Sequence, residues 1–85
     1  MKIFLLLIVL NIFVSNLFSQ NVGIGTNSPN ASAALDVSSN NKGFLPARMS
    51  TSERNAISNK AAGLMIYNTS TACIELYNGT NWINL

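Results

Sequence analysis

Histidine is absent from the 85-residue chain, so the usual general base and the commonest metal ligand are both missing. Ser39 and Lys42 have the Ser-x-x-Lys spacing of a serine acyl-transfer pair. The partner motifs and enclosing domain of such a nucleophile are not there, and a solvated SSNNKG loop explains the same residues. Gly23-Ile24-Gly25 resembles the opening of a dinucleotide loop, yet Ser28 stands at the third glycine position and no βαβ unit fits. Asp36, Glu53 and Glu75 are the only acids and fall on separate elements, short of a calcium ligand set. The expectation is no catalysis, no metal site and no cofactor.

Two kinds of side chain retain chemical interest. Cys73 is the single cysteine, so it can form no disulfide within the chain. An inert packed thiol and a bridge between subunits are both open to it. Tyr67, Tyr77 and Trp82 lie among Asn side chains, which suits stacking against a surface glycan. The same rings suit cross-strand packing or burial between subunits. Asn30, Asn68 and Asn78 each begin an Asn-x-Ser/Thr triplet, which arises readily by chance in a chain this rich in Asn and Thr. Lys42, Arg48, Arg54 and Lys60 are scattered singly and make no nucleic-acid footprint.

The amino terminus sets the compartment. Met1-Lys2 is a short positive start, Ile3 to Val14 is almost unbroken apolar sequence, and Ser15 to Gln20 turns polar. This pattern predicts a cleaved signal peptide over 1–19, with Ser19 at the cleavage site. The apolar run is shorter than the ~20 residues of a spanning helix. The mature chain is therefore expected outside the membrane: secreted, at the cell surface or in the periplasm.

Residues 20–49 read as an extended, glycine-containing strand and loop segment. Val22 and Ile24 alternate with Gly23 and Gly25, and period two means a strand. Glycines there are costly unless another backbone comes close, and a neighbouring subunit is the expected visitor. Leu35-Asp36-Val37 is a second short strand, and Gly43 closes the following loop with an expected positive φ. Phe44-Leu45-Pro46 is extended because Pro46 disfavours the α region at Leu45.

Residues 50–85 read as a short helix plus a three-stranded β-meander. Ser50-Thr51-Ser52-Glu53 is a capping box, predicting a surface helix from Thr51 to about Ser58. GLMIYN, CIELY and WINL are strand-like runs separated by Asn/Thr/Ser/Gly turns. Asn78-Gly79 is a hairpin signal that puts Ile74, Leu76, Ile83 and Leu85 on one face. An odd-length loop through Thr69-Ser70-Thr71 would add Leu64 and Ile66, making that face purely aliphatic. The fold class is thus mainly β, a small antiparallel meander with one short helix after an N-terminal signal helix.

Chain length and the lone thiol also bear on assembly. So small a domain offsets its ordering entropy only narrowly, and exported domains of this size commonly rely on disulfides. Without one, help from other copies is the remaining route to stability. A homo-oligomer is expected.

The motifs carry a family resemblance. Asn21-Val22-Gly23-Ile24-Gly25-Thr26 with Pro29 and Leu35-Asp36-Val37 resembles the NVGIGT-x-x-P…LDV motif of phage-tail-fibre-like and adhesin-like surface proteins. Gly43 to Met49 is similar to their GFLPPRM segment, with Ala47 where a second Pro is usual. Ala61 to Leu64, Tyr67-Asn68-Thr69 and Tyr77-Asn78-Gly79 with Trp82 are similar to their GL-x-x-YNT and YNG…W ending, and Lys60 replaces a frequent Pro. The resemblance implies a trimeric, fibre-type structural or assembly module. The other function kept open is a glycan- or surface-binding module using Tyr67, Tyr77 and Trp82.

Overall fold

The computed structural model describes residues 20–85, and the expected signal peptide lies outside the described residues. The described chain is mainly β, with two sheets and one short helix. It divides after Gly43 into two compact units.

The first unit is a parallel ribbon of β1 (Val22–Ile24) and β2 (Leu35–Val37). Val22 pairs with Leu35, Gly23 with Asp36 and Ile24 with Val37. Parallel strands need a crossover rather than a tight turn, and residues 25–34 supply it as a run of small bends. The Asn21 amide donates to the Asn30 carbonyl at 3.2 Å. Asn30 Oδ1 accepts from the Ser32 backbone at 3.0 Å, and the Asp36 carboxylate accepts from Asn30 N at 2.9 Å. Short polar side chains, those of Asn21, Asn30 and Asp36, thus replace the ladder partners that the connection's backbone lacks.

The two ribbon glycines are required by this chain itself. A Cβ on Gly23 would come within 2.7 Å of Pro29 Cγ and 2.8 Å of the Thr26 carbonyl. Gly25 has φ +78°, and a Cβ there would collide with the Ser38 carbonyl oxygen. The close approach expected from the sequence is present, but the visiting atoms belong to the same molecule rather than to a neighbouring subunit. Gly43 is not among the positive-φ residues, contrary to expectation, and a side chain there would meet open space.

The second unit is a four-stranded sheet in the order β3 (Arg48–Met49), β4 (Met65–Asn68), β5 (Cys73–Tyr77), β6 (Trp82–Asn84). The expected meander is β4–β5–β6. To it β3 adds a short parallel strand, Arg48 pairing with Tyr67 and Met49 with Asn68. The helix α1 (Thr51–Asn55) follows β3 directly. Its capping box forms as the sequence requires: Ser50 Oγ accepts from Glu53 N, and Glu53 Oε1 accepts from Ser50 N at 2.9 Å. The helix ends at Ala56 instead of running to Ser58. The ladder gives way there to i→i−3 bonding: Ile57 N donates to the Arg54 carbonyl at 3.2 Å, which tightens and closes the last turn.

Register decides which faces form. The β5–β6 loop holds the four residues Asn78 to Asn81, and the Asn78 side chain accepts from both Thr80 N and Asn81 N. Leu76 therefore pairs with Ile83 and Tyr77 with Trp82, as the hairpin parity demands. The β4–β5 turn also holds four residues, Thr69 to Ala72, not an odd number, and Ala72 takes φ 56°. Met65 thus pairs with Leu76, Ile66 with Glu75 and Tyr67 with Ile74. Leu64 and Ile66 are consequently on the opposite face from the one expected, and Met65 and Tyr67 join Ile74, Leu76, Ile83 and Leu85.

Candidate functional site

The inner face of the sheet carries the buried residues. Ile66 is 2 % exposed, Asn68 0 % and Glu75 4 %, and Ile66 is the one buried hydrophobic residue among those described. A polar network fills this face. Arg54, from α1, pairs with Glu75 through Nη1 at 3.0 Å. Asn68 donates to Glu75 Oε1 at 2.8 Å and to Thr51 Oγ1 at 3.0 Å. Asn68 Oδ1 in turn accepts from Ser70 N at 2.9 Å, shaping the β4–β5 turn. Buried polar groups are tolerable only when their bonding capacity is met, and here a cation, a carboxylate and an amide meet one another. The sequence pattern gave α1 few contacts because its apolar residues are few; it is held by charge and hydrogen bonding instead.

The aromatic residues do not assemble into one platform. Tyr77 and Trp82 are cross-strand neighbours with ring centroids 5.2 Å apart and planes tilted by 53°. The Arg54 guanidinium lies over the Trp82 ring, 5.4 Å from its centroid, a cation–π contact. Trp82 Nε1 is buried without a hydrogen-bond partner. Tyr67, paired with Ile74, projects from the other face. Of the three rings that the sequence suggested for a glycan, two meet and one is separated by the sheet. Cys73 is half-buried, and its thiol donates to the Thr71 carbonyl at 3.4 Å.

Charge elsewhere is local in effect. The Glu53 carboxyl titrates below its ordinary range, chiefly because the Ser50 backbone N–H donates to it and secondarily through the Ser50 hydroxyl. Among the described residues no cavity opens and no three acid or thiol groups gather as metal ligands.

What the described surface does present is apolar area. Val22, Ile24, Leu35 and Val37 share one face of the ribbon and are 55, 56, 52 and 40 % exposed. On the outer face of the four-stranded sheet, Met65, Ile74, Ile83 and Leu85 are also exposed. Phe44 and Leu45 stand bare before β3. Side chains of this kind at this density mark surfaces that other proteins cover. Sequence parity had identified Ile74, Leu76, Ile83 and Leu85 as one face; that this face is left open, while the polar one is buried under α1, was not visible without the Arg54–Glu75 pairing.

Comparison with known proteins agrees with an assembly surface. No curated protein and no solved structure matches the chain. The family model of the phage tail like trimerisation region matches residues 23–85, from within β1 to the final residue. On a match of that extent, the chain belongs to the phage tail like trimerisation region family, and it is a structural module that forms homo-oligomers.

Proposed function

We propose that the chain is a non-catalytic building module of a fibre-like surface assembly, working as a homotrimer after export directed by residues 1–19. The carrying observation is the imbalance between buried and bare hydrophobic residues. Ile66 alone is buried among the described ones, while ten large hydrophobic residues from Val22 to Leu85 stay exposed. Such a chain gains its missing apolar burial by meeting copies of itself, and three copies is the number that the family description supplies. The exported location is supported by the positive start and apolar run of Met1 to Val14.

Sedimentation equilibrium of the mature chain tests the assembly. The expected result is three times the chain mass at micromolar concentration, with a melting temperature that rises with concentration. A monomer that melts independently of concentration overturns the reading. Intact mass of the exported product tests the leader, with Gln20 expected as the first residue.

A further inference from the structure

We propose that the aliphatic face of the β1–β2 ribbon, made by Val22, Ile24, Leu35 and Val37, is the seam where copies of this chain meet. The inference rests on the trimeric reading above and adds the location of the contact.

The ribbon lacks any core of its own. No residue from 20 to 43 is buried. Two three-residue strands are too little to stand alone in water, and parallel strands are ordinarily covered on both sides. One side of this pair is already closed, because Pro29 and Thr26 fill the space over Gly23. Only the Val22–Ile24–Leu35–Val37 face remains to be covered. The four-stranded sheet is in a different position, since α1 supplies it with a buried inner face through Arg54, Asn68 and Glu75.

The chemistry of the ribbon face fits a second copy better than a foreign partner. In a closed three-fold assembly, a side chain near the axis meets its own equivalents. A charge at such a position would face like charges, so a seam near the axis has to be neutral. All four residues are aliphatic, three of them β-branched. Asp36, the one charged residue of the two strands, sits at the Gly23 position of the register, and its carboxylate bonds to Asn30 N on the closed side. The family match includes both strands from Gly23 onward.

Charge placed on each face separates the possibilities. Ile24→Asp and Val37→Asp, made singly in the mature chain, are expected to weaken association at least ~100-fold, the usual scale for burying an unpaired charge. Trp82 emission should remain native in both, reporting that the four-stranded sheet still folds. Ile83→Asp, on the outer face of that sheet, should leave the trimer intact. Because a charge could also unfold the ribbon, proximity is measured independently with Ile24→Cys in a Cys73→Ser background. Copper-phenanthroline oxidation should link two of the three copies into a dimer band, whereas Ser28→Cys in the same background should give none. If the ribbon variants stay trimeric and Ile83→Asp dissociates, or Ile24→Cys fails to cross-link, the seam is elsewhere while the trimer stands. A monomeric wild type would remove both.

Discussion

The Nη1 nitrogen of Arg54 lies 3.0 Å from one oxygen of Glu75 and 3.1 Å from the other, joining α1 to β5 across 21 residues of sequence. Both side chains are largely withdrawn from water, at 15 and 5 % exposure. Removing one partner strands the other, which costs far more than the net worth of the pair. Arg54→Ala should lower stability by about 3 kcal/mol in chemical denaturation. Trp82 emission should shift as well, because the guanidinium over its ring is lost. A loss under about 0.5 kcal/mol, the scale of an exposed pair, would mean that the two groups are not held together in solution.

The helix cap makes a second, pH-dependent prediction. Ser50→Ala should cost about 1 kcal/mol at neutral pH, the usual loss for an N-cap. The folded Glu53 carboxyl titrates below its unfolded value because Ser50 N–H donates to its charged form. Its contribution is therefore complete above the unfolded value and fades as pH falls through the lowered folded value. Glu53→Gln should flatten that part of the stability profile. An identical acid limb in wild type and Glu53→Gln would show that the carboxylate does not serve the cap.

These two features mark what sequence can and cannot supply. The capping box was legible because Ser50 and Glu53 are local and need no partner beyond their own turn. The parity of Tyr77 with Trp82 was legible for the same reason, since either loop length allowed by Asn78-Gly79 gives one answer. Parity across Thr69 to Ala72 was not, because it depends on Ala72 entering positive φ, which no residue type there announces. That single extra residue moved Ile66 to the inner face and Tyr67 to the outer one, separating Tyr67 from Tyr77 and Trp82. Arg54 with Glu75 was hidden because the pair forms only after helix and strand are in place. For Gly23 and Gly25 the physical need is legible in the alternation but the visitor is not: Pro29 lies six residues from Gly23, while the pairing of β1 with β2 brings in Ser38, thirteen residues from Gly25, so the chain meets itself.

The three positive-φ glycines differ from Gly43 in a testable way. Gly79 has φ +102°, and its nearest neighbour would be Ala62 Cβ at an ordinary 3.5 Å. Gly79→Val should therefore cost roughly 2 kcal/mol through backbone strain. Gly25→Ala should cost more, because strain at φ +78° is joined by collision with Ser38. Gly43→Ala should be neutral to slightly stabilising, by restricting the unfolded chain. Thermal melts at one fixed protein concentration decide the order. Equal losses at Gly25 and Gly43 would contradict the backbone described for β1.

Asn68 gives the sharpest test of the inner face. It is fully buried, and its amide serves both the turn, through Ser70 N, and the network, through Thr51 and Glu75. Asn68→Ala would leave a buried carboxylate with one donor fewer and a turn N–H without its acceptor. Each unsatisfied group costs about 1–3 kcal/mol, so a total near 3 kcal/mol is expected. Asn68→Asp keeps the acceptor for Ser70 but removes the donors and adds a negative charge beside Glu75. It should therefore be worse than Ala at neutral pH, although its shape is closer to the original. Denaturation curves of the two variants at pH 7 settle the comparison. An Asp variant as stable as wild type would mean that the amide nitrogen donates to neither Glu75 nor Thr51, and that the network holding α1 to the sheet is not formed.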